Sequence, residues 1–153
     1  MKTTIFDLDM TVIDSSHRKV SKPCGSIDLD HWFANCTFEK IFQDRLMPLS
    51  LEMRNLYSHS QVVVCTARTM GVYDFMFLRY AGLHYDHILY RPQGDMTPDG
   101  ELKAKQLSQF MRDYNVSPQD CLMWDDNLTV HDAVVPLGIK CLHPDEYPTY
   151  KGY

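Results

Sequence analysis

Short apolar runs alternate along this chain with helical patterns, and that alternation limits the folds open to it more than any other feature. Thr3–Leu8 (TTIFDL), Gln61–Cys65 (QVVVC), His87–Tyr90 (HILY), Cys121–Trp124 (CLMW) and Ile139–Leu142 (IKCL) read as strands. Several are apolar almost throughout, as strands covered on both faces of a parallel sheet must be. Helices are predicted over Phe38–Met47 and Leu49–Ser58, divided by Pro48. Further helices are predicted over Val72–Ala81, closed by Gly82, over Glu101–Tyr114, and over Asn127–Val135 ahead of Pro136. Strand and helix in alternation imply a three-layer α/β domain around a mostly parallel sheet. Residues 1–153 suit one domain, with 12–37 as a loop or small cap region and 144–153 as a tail, loosely ordered or a docking strap.

Composition narrows the partners. A hydrophobic content of 44% is that of an ordinary globular core. Twenty acidic against 15 basic residues give a net charge of −5, which argues against a broad nucleic-acid-coating surface. No apolar run approaches the ~20 residues that span a bilayer, so no membrane partner is expected, and Met1–Phe6 reads as a strand start rather than a leader. Five cysteines at irregular spacing, without CxxC, read as free thiols of a cytoplasmic protein, Cys65 and Cys121 being buried.

In a parallel sheet ligands bind at the carboxyl ends of the strands. Three of the expected strands end in polar residues of one kind: Asp7-Leu8-Asp9-Met10-Thr11, Thr66-Ala67-Arg68 and Asp125-Asp126-Asn127. Each alone is an ordinary turn or cap sequence. Together they gather four carboxylates, two hydroxyls and a guanidinium at one sheet edge. Carboxylates so crowded do not all stay ionised without a cation, and hard oxygen donors favour Mg²⁺. An aspartate beside a metal and a phosphate is a route to an aspartyl-phosphate intermediate.

FDLDMT at 6–11, VVVCTAR at 62–68, Lys103 and WDDN at 124–127 resemble the four motifs of haloacid dehalogenase-like phosphatases, over almost the whole chain. Met10 stands where the first motif most often has glycine. The resemblance implies a Rossmann-like fold and a set of roles. Asp7 is the nucleophile; Asp9 protonates the leaving oxygen and then activates water, which requires a raised pKa. Thr66 and Lys103 support the phosphoryl group, Thr11 of the first motif helps bind the substrate, and Mg²⁺ lies among Asp7, the Asp9 carbonyl and Asp125/Asp126.

Neither gap between motifs is long enough for a large cap, so an open site is expected, suited to a bulky substrate. The stretch YRPQGDMTPDGELK at 90–103 resembles the phosphatase domains of polynucleotide kinase/3′-phosphatases. That resemblance implies active-site roles for Arg18, Arg68, Arg91 and Lys103, Lys103 being preferred over Lys105. Arg18, Lys19 and Lys22 then form a basic rim. The expected activity is removal of 3′-phosphates from polynucleotide ends. The alternatives are hydrolysis of nucleotides or other small phosphomonoesters, and a catalytically silent binding module. No G-x-x-x-x-G-K-[ST] occurs, so the chain reads as a stand-alone phosphatase or the partner of a separate kinase or ligase. Trp32, Phe33 and Phe38 read as core packing rather than base-stacking residues, and His84, Asp86 and His87 as a solvated turn.

Overall fold

The computed structural model describes residues 1–150. In chain order its elements are β1 (Thr3–Phe6), β2 (Ile13–Asp14), α1 (Leu29–Ala34), α2 (Phe38–Ile41), β3 (Arg45–Leu46), α3 (Leu49–Leu56) and β4 (Gln61–Cys65). They continue as α4 (Val72–Tyr80), β5 (His87–Leu89), α5 (Asp99–Asp113), β6 (Cys121–Trp124), α6 (Leu128–Val134) and β7 (Lys140–Leu142). Five strands form a parallel sheet in the order β5-β4-β1-β6-β7. β1 lies at its centre, with Phe6 opposite Val64 on one side and Trp124 on the other.

Period-two alternation divides the core into two layers. Phe6, Val62, Val64 and Trp124 face a cluster with Leu49 and Met53 of α3 and Phe77 and Leu78 of α4. Ile5, Val63, Cys65 and Met123 face the opposite cluster, with Leu107, Phe110 and Met111 of α5 and Val130 and Val134 of α6. Val62, Val63 and Val64 are all fully buried, which explains why β4 reads as unbroken apolar sequence. Each such side chain contributes about 1.5–3 kcal/mol relative to exposure.

Helix ends follow local chemistry. Asp74 in the first turn of α4 accepts the Gly71 amide at 2.8 Å, and Asn127 caps α6 by accepting the Thr129 amide at 3.0 Å. Gly82 takes the left-handed conformation (φ 69°) that ends α4. Gly100, in the first turn of α5, lies against α6: a Cβ there would sit 2.8 Å from the Thr129 carbonyl oxygen.

Three expectations are corrected. The helix predicted over Phe38–Met47 stops at Ile41, and Arg45–Leu46 pair antiparallel with Ile13–Asp14. The cause is Asp44, which turns inward to meet a buried guanidinium; satisfying that charge outweighs local helix propensity. The tail is not loosely ordered but a strap, the other form expected of it: a 3-10 segment over Pro144–Thr149 that packs on β6. Tyr147 and Tyr150 place their rings 6.1 and 5.5 Å from Trp124, and the Tyr147 hydroxyl donates to Glu52. Residues 151–153 of that tail lie outside the described residues. The 84–87 turn is not merely solvated, since Asp86 accepts the Val62 amide and His87 packs on Phe110 and Tyr114. All five cysteines are free. Among the described residues, no helix is long and apolar enough to cross a membrane.

Candidate active site

Strand order reverses at β1, whose later partners β4 and β5 lie to one side and β6 and β7 to the other. Asp7 leaves β1 and Asp125 leaves β6 at that point, where α/β sheets open a crevice. The ladder continues past the strands, with the Asp7 amide donating to the Trp124 carbonyl at 2.9 Å and the Asp125 amide to Leu142 at 3.1 Å. Both carboxylates are therefore set side by side by backbone register. Lys103, on the inner face of α5, reaches them together, with Nζ 2.7 Å from Asp7 Oδ1 and 2.6 Å from Asp125 Oδ2. Lys105 is exposed, which decides between the two lysines.

Beyond β1 the chain coils tightly. The Leu8 carbonyl accepts the amides of Thr11, Val12 and Ile13, and Met10 adopts φ 63°. The coil returns Thr11 to Asp7: its hydroxyl lies 3.1 Å from Asp7 Oδ2 and 3.4 Å from Asp126 Oδ1. Oxygens of Asp7, Asp125 and Asp126 lie within 4.8 Å of one another. Burial, and then mutual repulsion, push these carboxyls up: Asp7 to about 7 despite Lys103, and Asp126 to about 6. Asp125 is raised as well, chiefly by burial. One ammonium faces three carboxylates, a donor set of hard oxygens that fits a divalent cation.

Asp9 belongs to a different network. Its carboxylate sits in the fork of Arg68, with Nε 3.1 Å from Oδ2 and Nη2 on Oδ1, and it accepts the Ser15 hydroxyl at 2.6 Å. Burial works to raise its pKa, but Arg68 and Ser15 outweigh it and hold the carboxyl below its ordinary value. The raised pKa expected of an acid at this position is thus absent. Arg68 also binds Asp74 at 2.8 Å and lies 3.9 Å from Asp44, so carboxylates surround its guanidinium.

Arg18 is not on a basic rim. It is 1% exposed, paired with Asp44 through Nε at 3.0 Å and Nη2 at 2.9 Å. His17 adds a 2.8 Å contact to the same carboxylate. Only Lys19 and Lys22 of the expected rim are exposed. Arg91 is likewise engaged elsewhere. It donates to the carbonyls of Ala67, Asp95 and Thr97 and to Asp99, stapling the loop after β4 to the approach to α5. Thr66 is fully buried at the end of β4, accepts the Arg68 amide at 3.1 Å and retains its own proton to donate.

The aromatic residues expected in the core are not there. Phe33 and Phe38 are 57% and 42% exposed, and the half-buried Trp32 lies against two cations, 4.2 Å from Arg18 Cζ and 5.6 Å from Arg68 Cζ. Asp44, Asp74 and Ser15 complete the site's second network and were missed from sequence. Asp74 carries a signal, an acid in the first turn after Gly71; Asp44 carries none.

The fold is shared with solved haloacid dehalogenase-like hydrolases. Such a hydrolase from Streptococcus pneumoniae superposes with a TM-score of 0.68 over 94% of this chain and 84% of that one, at 17% identity. One from Geobacter sulfurreducens gives 0.69 over 92% and 85%, at 14% identity. A chain of the Pnkp1/Rnl/Hen1 complex gives 0.67 over 93% of this chain and 45% of its own, at 20% identity.

More narrowly, residues 1–93 match the family of the bacteriophage T5 5′-deoxynucleotidase, and the chain belongs to that family. It is 37% identical over 89 residues to the 5′-deoxynucleotidase of Escherichia phage T5, across 54% of this chain. The match spans only 36% of that relative's length. Asp7, Asp9, Thr66 and Arg68 fall within the family match; Lys103, Asp125 and Asp126 lie beyond it.

Proposed function

We propose that the chain is a Mg²⁺-dependent phosphomonoesterase acting on nucleoside monophosphates through an aspartyl-phosphate on Asp7. The observation that carries the chemistry is the ion cluster in which Lys103 bridges Asp7 and Asp125 with Asp126 alongside. The nucleotide substrate is suggested by the family match over residues 1–93, whose relative is a 5′-deoxynucleotidase.

In this reading an Asp7 carboxylate oxygen attacks phosphorus, the ester oxygen leaves with the nucleoside, and water then hydrolyses the acyl phosphate to return Asp7. Lys103 offsets the charge on Asp7 and on the phosphoryl oxygens, and the Thr66 hydroxyl donates to one of them. Thr11 holds Asp7 in the attacking orientation. Asp7, Asp125 and Asp126 would hold Mg²⁺, with the Asp9 main-chain carbonyl as the further ligand implied by the family resemblance. When bound, the ion supplies charge neutralisation at the phosphoryl oxygens. Asp9 in its ionised state suits the base half of its role, accepting a proton from the attacking water. The Arg68 fork must open before Asp9 can protonate the leaving oxygen.

A second reading, removal of 3′-phosphates from polynucleotide ends, is favoured by the absence of a large cap among the described residues and by exposed Lys19 and Lys22. It is weakened by the burial of Arg18 and the backbone commitments of Arg91. Hydrolysis with Mg²⁺ of deoxynucleoside 5′-monophosphates, a 3′-phosphorylated oligonucleotide and its 5′-phosphorylated twin separates the two. Preference for the mononucleotide is expected; a strong preference for the 3′-phosphorylated strand overturns the nucleotide assignment.

A further inference from the structure

We infer that Trp32 is the platform on which the nucleobase of the substrate stacks, an inference that rests on the nucleotide reading of the site. Helix α1, which carries Trp32, contains no buried residue, so core packing does not account for the indole. What holds the indole is a pair of guanidiniums. Arg18, fixed by Asp44, lies 4.2 Å from the ring centroid, and Arg68, fixed by Asp9 and Asp74, lies 5.6 Å from it. Through Arg68 the ring is one side chain removed from Asp9, and hence close to the loop that carries Asp7.

Two features make this placement suit a base rather than a structural contact alone. The ring remains half-buried at the surface, whereas Trp124, the other tryptophan of the chain, is completely buried in the core. Because both cations are themselves locked in ion pairs, the indole is oriented in advance, and a ligand meeting it bears little ordering cost. A nucleoside monophosphate whose phosphate is at Asp7 extends its sugar and base outward. An aromatic face beside that exit engages any base, since every base offers a π-face.

The test compares Trp32→Leu and Trp32→Phe with the parent on a deoxynucleoside 5′-monophosphate and on 2-deoxyribose 5-phosphate, which lacks a base. Trp32→Leu is expected to lose roughly 5- to 100-fold in kcat/KM on the nucleotide, mainly through KM, with 2-deoxyribose 5-phosphate unchanged. Trp32→Phe is expected to keep most of the nucleotide activity. Equal losses on both substrates would show that the indole acts only by holding Arg68, and no loss on either would show that it does nothing here; both results overturn the inference. Binding gives an independent readout. Saturable quenching of indole fluorescence by the nucleotide in Asp7→Asn is expected to vanish when Trp32→Phe is added, and not to be produced by 2-deoxyribose 5-phosphate. Absence of that quenching overturns the inference even if the variants turn over poorly. A parent protein inert on nucleotides but active on a 3′-phosphorylated oligonucleotide removes the nucleotide reading instead, and the quenching then decides whether Trp32 stacks a base.

Discussion

Asp7 and Asp9 stand two residues apart, yet they enter charge networks of opposite character. Around Asp7, three carboxylates face the single ammonium of Lys103, and burial drives the Asp7 carboxyl up to about 7. Around Asp9, the carboxylates of Asp9, Asp44 and Asp74 are met by the guanidiniums of Arg18 and Arg68, with His17 on Asp44, and the Asp9 carboxyl is depressed. The first network has one positive charge against three carboxylates and can accept a cation and a phosphate. The second is nearly balanced and gives rigidity. The coil at Leu8–Ile13 is the boundary between them, and it lets one short motif supply a carboxylate to each network.

The difference can be broken at either side. Asp7→Asn is expected to lower turnover by about 10⁴-fold or more while leaving the melting temperature intact or higher; appreciable phosphatase activity in that variant removes the nucleophile assignment. Asp44→Ala strips a buried guanidinium of its partner and is expected to cost about 3–5 kcal/mol in urea unfolding. Its kcat at saturating substrate should persist, and a large fall in kcat would mean that Asp44 positions Asp9 for its proton transfers.

Asp126→Asn tests the charge deficit itself. A carboxyl raised from 3.8 to about 6 costs stability once ionised, so wild-type stability falls as pH rises across that window. Without divalent cations, the variant is expected to melt about 2–4 °C above the parent at pH 8, for a screened gain near 1 kcal/mol. That gain should disappear below pH 4, and Mg²⁺ should stabilise the parent more than the variant. Met10→Gly probes the boundary: relief of the left-handed strain is expected to add about 0.5–1 kcal/mol, and a loss of stability would mean that the Met10 side chain is held by packing.

Which of these features were legible in the chain follows from the range of the forces behind them. The inner strands β4 and β6 were readable because their burial leaves nearly unbroken apolar runs, as in Val62–Cys65. Asp7, Asp125 and Lys103 were readable because each follows or faces a strand end. The β2–β3 pairing was not, since Ile13 and Leu46 meet only through a coil whose geometry depends on Asp44 finding Arg18 across 26 positions. For the same reason, Arg18 and Arg91 carried the spacing of site residues while their guanidiniums were committed to Asp44 and to backbone carbonyls. Nothing local distinguishes an arginine aimed at solvent from one aimed inward. The depressed pKa of Asp9 was hidden likewise, because Arg68 lies in the loop after another strand.

Gly100 gives this site a mechanical vulnerability that none of its charged groups reveals. A methyl group at that position meets the Thr129 backbone at 2.8 Å, so helix α5 must ride away from α6 to admit it. Lys103 lies one turn further along α5 and travels with it. The smallest possible side chain, added at a position remote in character from any chemistry, would therefore lift the ammonium out of its two-way grip on Asp7 and Asp125. The spacing between these two helices thus acts as the calibration of the Asp7–Lys103–Asp125 cluster, and evolution or engineering can retune the cluster there without altering any of its members.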